Sequence, residues 1–259
     1  MTDQPVALIT GGASGIGEAT ARRMAADGYR VAVADVNAEG TARVAGEIGG
    51  VALQMDVADP GAIQAGVDRV VAEWGRIDAC VCSAGVLEVP GTLMDGDREA
   101  EQRIWTINYQ GTIDTIRSAG RVMEGQGSGA IVTLGSINSY AALPLPAYCP
   151  SKTAILRATE MFAVELGRFG VRVNGVAPTY ILTPALKAKI DSGERDPAVV
   201  RGANALNNWI EPADVADVIA FLCSDDARAV SGVMLPVDAG HLPAERYRAF
   251  AGGVPWATG

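Results

Sequence analysis

The chain has few of the residues that bind metals or nucleic acids. Its 259 residues include one histidine, and its four cysteines, at positions 80, 82, 149 and 223, show no Cys-x-x-Cys spacing. A metal site would therefore be short of ligands. Lysine and arginine together number 21 against 30 acidic residues, which gives a net charge of −9. Because nucleic acids reward clustered positive charge, we expect neither a metal nor a nucleic-acid partner.

Long apolar runs are also missing. No apolar stretch approaches the roughly twenty residues of a membrane span, and no charged-then-apolar leader opens the chain. We therefore expect a soluble cytoplasmic protein with no membrane partner. Cys80 and Cys82 alternate in a predicted strand and are expected in the core. The lone histidine, His241, is expected in a surface loop rather than in catalysis.

Apolar runs alternate with helical patterns along the chain. Strands are predicted near residues 6–10, 31–35, 51–55, 79–83, 130–134, 172–176 and 233–237. Segments long enough for a helix follow the first five, which predicts an α/β fold: a doubly wound, seven-stranded parallel sheet of Rossmann type with helices on both faces. The length and the absence of a linker favour one domain over residues 1–259.

A glycine-rich turn follows the first predicted strand. Gly11, Gly15 and Gly17 form a Gly-x3-Gly-x-Gly pattern between the strand and an alanine-rich helix. Glycines there let the backbone approach a phosphate, and the helix start offers free N–H groups. The strand, turn and helix context predicts dinucleotide binding.

The second strand ends at Asp35, 18 residues beyond Gly17. A carboxylate at this spacing can accept hydrogen bonds from both ribose hydroxyls and repels a 2′-phosphate. Ser14, inside the loop, supplies no positive charge for such a phosphate. NAD is therefore favoured over NADP, although Asp35 could instead be a solvated turn carboxylate.

Tyr148 and Lys152 are four residues apart and share one face of a predicted helix. A nearby cation favours the phenolate and so lowers the phenol pKa from about 10. Ser136, at the end of an apolar run, could donate a hydrogen bond to a substrate oxygen while Tyr148 exchanges its proton. These groups suit alcohol and carbonyl chemistry, although the tyrosine–lysine pair alone could be a surface helix pairing.

With these motifs the chain resembles the short-chain dehydrogenase/reductase family, in its single-domain form of roughly 250 residues. The resemblance implies that Asn108, Ser136, Tyr148 and Lys152 are catalytic, with Asn108 completing a proton relay. It implies cofactor contacts from Gly11, Ser14, Gly15, Ile16, Gly17, Asp35, Asp56, Val57, Ser83, Ala84, Gly85, Tyr148, Lys152, Pro178, Ile181 and Thr183. It also suggests a substrate pocket that includes Glu88, Asn138, Leu145, Thr179 and Tyr180.

Two positions depart from the family pattern. Cys82-Ser83-Ala84-Gly85 stands where the family usually has Asn-Asn-Ala-Gly, so backbone groups would make the contacts there. Thr179 replaces the family's glycine after Pro178. Its β-branched side chain narrows the backbone options near the nicotinamide and adds a methyl and a hydroxyl to the pocket edge.

Two further segments carry predictions by analogy. Residues 179–211 read as neither strand nor obvious helix and are predicted to be a substrate lid, with a mobile loop as the alternative. The tail, residues 241–259, carries Tyr247, Phe250 and Trp256. It is predicted to pack across a subunit boundary, with a frayed terminus as the alternative. The helix carrying Tyr148 is more apolar than one sheet face requires, which with the resemblance predicts a homotetramer built on it and on the helix of Asn108.

The predicted function is NAD-dependent interconversion of a secondary alcohol and a ketone, with Tyr148 as acid and base and Lys152 holding the ribose. The substrate is expected to be a small hydroxylated compound such as a polyol, sugar or sugar acid. A lipophilic alcohol or ketone is the alternative. A dinucleotide-binding sensor without turnover is a rival, as is a sugar-nucleotide epimerase or dehydratase, for which the chain lacks room for a larger substrate domain.

Overall fold

A parallel sheet forms the centre of the protein. The computed structural model describes residues 4–88, 90–251 and 253–254. Within them, seven parallel strands are ordered β3-β2-β1-β4-β5-β6-β7. They are β1 (Val6–Thr10), β2 (Arg30–Asp35), β3 (Val51–Gln54), β4 (Ala79–Cys82), β5 (Gly129–Leu134), β6 (Val171–Pro178) and β7 (Met234–Val237). The predicted doubly wound parallel sheet is confirmed, with strand ends shifted by at most two residues.

Helices connect the strands. They are α1 (Gly15–Ala26), α2 (Ala38–Ile48), α3 (Pro60–Trp74), α4 (Arg98–Ile104), α5 (Gly111–Gln126), α6 (Tyr148–Gly167), α7 (Pro184–Asp191), α8 (Pro197–Gly202), α9 (Pro212–Cys223) and α10 (His241–Arg248). A π-helical turn, Trp105–Gln110, joins α4 to α5. Short 3-10 turns lie at Leu93–Asp95, Ile137–Ser139 and Asp225–Ala227.

Both faces of the sheet are buried. Successive strand residues point to opposite faces, so Leu8 packs with α3, α5 and α6, whereas Ile9 packs with α1, α2 and α9. Cys80 and Cys82 lie in the first of these cores, as predicted. Strands that are covered on both faces have continuous apolar sequences, and for this reason the strands could be predicted from the sequence.

The sheet changes winding direction at β1. The chain passes from β1 outward through β2 and β3, and then returns to β4 on the other side of β1. The loops after β1 and β4 therefore diverge and leave a crevice at the carboxyl edge, where ligands bind in folds of this kind. The predicted site residues follow strand ends at this edge.

Two expectations require correction. The predicted lid, 179–211, is not devoid of regular structure, because α7 and α8 lie within it. Each begins with Thr-Pro or Asp-Pro, and the threonine or aspartate side chain caps the helix. His241 is not in an exposed loop: it begins α10 and is 9% exposed. Trp256 of the tail lies outside the described residues.

In the described part of the chain, no helix is both long and apolar enough to cross a bilayer.

Candidate active site

The glycine loop packs tightly against its own helix and against the end of β4. A Cβ added to Gly17 would lie 2.0 Å from the carbonyl oxygen of Gly11. A Cβ on Gly11, whose φ is +67°, would lie 2.7 Å from the backbone nitrogen of Ala84. Side chains are therefore excluded here, which leaves backbone lining the crevice. Ser14, the N-cap of α1, makes no side-chain bond to the first turn, and Ile16 packs against the core behind it.

Asp35 is oriented by the backbone at the loop. Its Oδ2 accepts a 3.2 Å hydrogen bond from the N–H of Ala13, and its Oδ1 accepts a 2.9 Å bond from the N–H of Asn37. The carboxylate is half-buried at the carboxyl end of β2. It is thus both a turn carboxylate, as the alternative interpretation held, and a fixed negative charge beside the glycine loop.

Sequence reasoning missed a cation at this position. Arg43 on α2 donates a 3.2 Å hydrogen bond to the carbonyl of Ala13, the residue whose N–H binds Asp35. Its guanidinium also makes a two-pronged contact of 2.8 and 2.9 Å with the carboxylate of Glu18. The hydrogen bond from Arg43 lowers the pKa of Glu18, against the opposing effect of its burial. Arg43 is therefore held by Glu18 in this arrangement.

The opposite wall of the crevice comes from β4 and from the start of the lid. The N–H of Ala84 donates a 3.2 Å hydrogen bond to Oγ1 of Thr10, which keeps the Ser83–Gly85 backbone close to β1. Thr183 caps α7, and its Cγ2 would lie 3.3 Å from a Cβ on Gly15. The two walls thus face each other across a narrow gap.

The remaining predicted cofactor residues also follow strand ends. Asp56 lies after β3, where its carboxylate accepts a 2.9 Å bond from the N–H of Ala58, while Val57 is buried in the core. Pro178 ends β6, and Ile181 pairs with Ile210 in a short bridge at the two ends of the lid. Their roles towards a cofactor stay predictions.

Tyr148 and Ser136 meet at the start of α6. Ser136 caps the 3-10 turn after β5, and its Oγ accepts a 3.2 Å bond from the N–H of Asn138. Burial raises the pKa of Tyr148 to about 12, and a hydrogen bond with the Ser136 side chain opposes that rise. The lowering of this pKa that was expected from Lys152 is not found: Ser136, not the lysine, opposes the effect of burial on the phenol.

Lys152 lies one turn beyond Tyr148 and is 4% exposed. Its Nζ lies 5.5 Å from the centroid of the Tyr148 ring and donates a 2.7 Å hydrogen bond to the carbonyl of Leu134. Burial lowers the pKa of Lys152 to about 8, since removal from water disfavours the charged form. A lysine poised in this range can both carry a charge and pass a proton.

Asn108 is fully buried in the π-helical turn, which projects it towards the loop after β4. Its Nδ2 donates a 3.0 Å bond to the carbonyl of Val86, and its Oδ1 accepts a 2.8 Å bond from the N–H of the same residue. A Cβ on Gly85 would lie 3.3 Å from Asn108 Oδ1 and 3.8 Å from Lys152 Nζ. The side chain thus fixes the loop beside Lys152, and the proposed relay through Asn108 stays a prediction.

Glu88 has a contact that the sequence did not suggest. It was expected to border the substrate, yet its carboxylate accepts hydrogen bonds from the N–H groups of Ala147, at 3.0 and 3.2 Å, and Tyr148, at 2.8 Å. Ala147, the N-cap of α6, has no side chain able to cap. Glu88 therefore caps α6 from another loop.

The other expected substrate residues surround this region. Asn138 is 7% exposed and its Oδ1 has no hydrogen-bond partner among the described residues. Leu145 is half-buried just before α6. Thr179 Oγ1 lies 2.8 Å from His241 Nδ1, and the Tyr180 ring lies 5.9 Å from the His241 ring. Sequence reasoning missed His241, although its position after β7 places it at the same carboxyl edge.

Comparison with known proteins agrees with this geometry. Residues 11–241 match the model of a family described as enoyl-(acyl carrier protein) reductase. D-threitol dehydrogenase of Mycolicibacterium smegmatis is 38% identical over 249 residues, which cover 92% of this chain and 93% of that protein. Cis-4-hydroxycyclohexanecarboxylate dehydrogenase of Sinomonas cyclohexanicum is 37% identical over 241 residues, which cover 91% and 96%. The chain belongs to the short-chain dehydrogenase/reductase family.

A solved structure extends this likeness over almost the whole chain. A crystal structure described as ribose-5-phosphate isomerase from Brucella melitensis 16M is 35% identical and superimposes with a TM-score of 0.93, covering 98% of both chains. The family consists of oxidoreductases that use a nicotinamide dinucleotide. The backbone at the side-chain-free positions Gly11, Gly15 and Gly17, the fixed carboxylate of Asp35 and the facing Ser83–Gly85 backbone fit such a group.

Proposed function

We propose that the protein is an NAD-dependent dehydrogenase that interconverts a secondary alcohol and a ketone. The observation that carries this proposal is the buried Lys152, whose Nζ lies 5.5 Å from the centroid of the Tyr148 ring, at the crevice that fits the cofactor. Ser136 lies close enough to the phenol to oppose the effect of burial on its pKa. The nicotinamide, when bound, supplies the hydride acceptor or donor. The protein itself orients the reactants and transfers the proton.

Tyr148 exchanges that proton with the substrate oxygen, and Ser136 donates a hydrogen bond to the same oxygen. With a pKa of about 12 the phenol holds its proton at neutral pH, which suits proton donation to a ketone. In the oxidative direction the phenolate must form, so the charge of Lys152 has to lie closer to the phenol than in this arrangement. Nζ, which bonds Leu134 and lies 5.5 Å from the Tyr148 ring centroid, would have to turn towards the phenol and the ribose of a bound cofactor.

NAD is proposed over NADP because of the charge at the end of β2. The carboxylate of Asp35 is held by two backbone N–H groups and cannot easily turn away from an incoming 2′-phosphate. Arg43, the nearest cation identified at this position, is engaged by Glu18. Like-charge repulsion in a partly desolvated crevice then disfavours NADP.

We propose a small hydroxylated substrate, with a lipophilic alcohol or ketone as the alternative. The unpaired Oδ1 of Asn138 and the Thr179–His241 pair supply polar groups in the segments that follow the carboxyl ends of β5, β6 and β7. A buried acceptor left without a donor costs about 1 to 3 kcal/mol, which favours a substrate that carries further hydroxyls. The polyol substrate in the name of the Mycolicibacterium smegmatis relative supports the same class, whereas the cyclic hydroxy acid of the Sinomonas relative is closer to the alternative.

A homotetramer is part of the proposal. Met161 and Val164 on α6 are 66% and 81% exposed, and a cavity of about 420 Å³ between α5 and α6 is lined by Tyr109, Ile113 and Phe162. Exposed apolar side chains next to such a cleft favour a helix pair from a second subunit. The cytoplasmic location expected from the sequence stays a prediction.

The test is NADH formation by purified protein offered threitol and other polyols, sugar acids, cyclic hydroxy acids and terpene alcohols, with Tyr148→Phe as the matched control. We expect turnover with at least one polyol or sugar acid, and a loss of about two to four orders of magnitude in Tyr148→Phe, which keeps the ring and removes the proton. A tenfold preference for the terpene alcohols, about 1.4 kcal/mol in transition-state binding, would favour the alternative substrate class. Product without NADH formation would instead indicate an isomerase.

A further inference from the structure

The turn between β7 and α10 contacts the lid at both ends. At the lid's start, His241 Nδ1 and Thr179 Oγ1 lie 2.8 Å apart. Near its end, the carbonyl of Ala239 accepts hydrogen bonds from the N–H groups of Ala205, at 3.0 Å, and Leu206, at 3.3 Å. One short turn therefore fixes two points of the lid that lie far apart in the sequence.

The turn is itself rigidly built. Asp238, 7% exposed, accepts 2.9 Å hydrogen bonds from the N–H groups of Gly240 and Leu242. Ala239 has φ of +48°, a left-handed conformation that is strained for a residue with a Cβ. A Cβ on Gly240 would lie 2.8 Å from that of Ala205, so the lid lies directly against this turn. The surroundings hold the strained backbone in place.

The other end of α10 contacts the same stretch of the lid. Arg248 donates hydrogen bonds to three successive carbonyls at the end of α8 and just beyond it, those of Gly202, Ala203 (3.3 Å) and Asn204 (3.1 Å). These carbonyls lack partners within their own helix because α8 ends there. A guanidinium suits them, since it offers several N–H groups in a fixed plane.

We infer that α10 is an intramolecular latch on the lid, in which His241 and Arg248 are positioning residues that set substrate affinity. Thr179, which His241 contacts, replaces the glycine usual in the family, so this contact is a property of this chain. Asn204 connects the latch to the rest of the lid, since its side chain bonds both the N–H and the carbonyl of Asn208. The inference rests on the proposed function, because it takes residues 179–211 to cover the substrate.

The experiment compares four variants with the wild type. Arg248→Met and His241→Leu remove the contacts to the lid. His241→Asn keeps a polar atom near the position of Nδ1 and should restore the bond to Thr179. Arg246→Met is the matched control, because Arg246 lies on the same helix but lines a different groove with Tyr140 and Phe250.

Two measurements are made on each variant. Steady-state kinetics with the best alcohol should show the substrate KM raised about three- to tenfold in Arg248→Met and His241→Leu, as expected for one or two lost hydrogen bonds. Their KM for NAD should change by less than about twofold, and His241→Asn and Arg246→Met should stay near the wild type. Limited trypsin digestion without substrate should cleave the lid faster at Lys187, Lys189 and Arg195 in the two latch variants only.

The trypsin digestion does not depend on turnover, so it tests whether α10 holds the lid even if no alcohol is oxidised. Absence of NADH formation by the wild type would refute the proposed function but not the latch. Unchanged lid cleavage in Arg248→Met and His241→Leu would refute the latch. Faster cleavage with an unchanged substrate KM would refute the positioning role of the two residues. A general loss of folding would lower the apparent kcat and leave both KM values unchanged, because only the folded fraction turns over, and Arg246→Met should not share it.

Discussion

Glu88 and Tyr148 are linked by a 2.8 Å hydrogen bond from the tyrosine's backbone N–H to the glutamate's carboxylate. Tyr148 therefore begins a helix whose cap comes from the loop after β4. The same loop contains Ala84 and Gly85, and Asn108 binds its backbone at Val86. Hydrogen bonds thus tie the position of Tyr148 to the loop that faces the glycine-rich turn.

Glu88→Ala should lower kcat about tenfold or more, because the first turn of α6 loses its cap and Tyr148 its fixed position. Glu88→Gln, which retains one acceptor oxygen, should recover most of the activity. The control is Asp59→Ala, which removes the cap of α3 by breaking a 2.8 Å bond to Gly61. Both alanine variants should lose about 1 kcal/mol of stability. Equal kcat in the two would contradict the positioning role of Glu88.

Lys152 should make the stability of the free enzyme depend on pH. Its pKa is lowered to about 8 in the folded protein from the 10.5 of an exposed lysine. Between these values the unfolded chain binds more protons, so the free energy of unfolding rises with pH. At neutral pH the buried charge costs on the order of 3 kcal/mol.

Denaturant unfolding of wild type and Lys152→Met at pH 7, 8, 9 and 10 measures this effect. The stability of the wild type relative to the variant should increase steadily above pH 8, whereas turnover of the variant should be abolished at every pH. Burial also raises the pKa of Tyr148 and Cys223, but both groups remain in the variant and cancel in the difference. Lys187→Met removes the same charge from the surface of α7 and serves as control. A pH-independent difference would contradict the assignment.

The preference between NAD and NADP should change when two carboxylates are removed one after the other, first that of Asp35 and then that of Glu18. Asp35→Ser should reduce the preference for NAD over NADP, in kcat/KM, by about tenfold or more, since it removes the charge facing a 2′-phosphate. Adding Glu18→Gln should improve NADP further, because it frees Arg43 to bind that phosphate. Glu73→Gln removes one negative charge from a surface pair with Arg69 and controls for the change in net charge of the other two variants. Equal use of NADP and NAD by the wild type would refute the hypothesis before any variant is made.

Local patterns were sufficient to predict the sheet and the placement of Tyr148 and Lys152 on one helix. The strands are continuous apolar runs, and Tyr148 and Lys152 share a helix, so periodicity alone places them on one face. Glu88 and Tyr148 are separated by 60 residues, and no periodicity connects them. Only the folded chain shows that the carboxylate caps a helix, and its contact with a substrate stays a prediction.

Two mistakes have a common origin in local reasoning. Residues 179–211 were predicted to be neither strand nor obvious helix, yet Thr183-Pro184 and Asp196-Pro197 each pair a capping residue with proline, which is a helix start. His241 was assigned to the surface because it follows a glycine-containing turn. That turn follows the carboxyl end of β7, and the other loops of the candidate site also follow the carboxyl ends of strands. The sequence therefore contained a signal for the position of His241.

Assembly should depend on the apolar surface of α6. Val164 is 81% exposed and Met161 66% exposed, beside the cleft between α5 and α6. A buried carboxylate without a partner is costly, so glutamate at either position would oppose a subunit interface there without disturbing the core of the monomer. Light scattering of the wild type at micromolar concentration should show a tetramer, four times the 26.8 kDa of the chain.

Val164→Glu and Met161→Glu should shift this species to dimers or monomers. Val199→Glu, a change of the same kind on the 67% exposed surface of α8, should leave it intact. Circular dichroism should be alike in all three variants, because none of the side chains belongs to either core cluster. A light-scattering mass of one chain for the wild type would rule out the tetramer. A tetramer unaffected by Val164→Glu would place the interface elsewhere, and the groove lined by Tyr140, Leu242 and Tyr247 would then be the next surface to test.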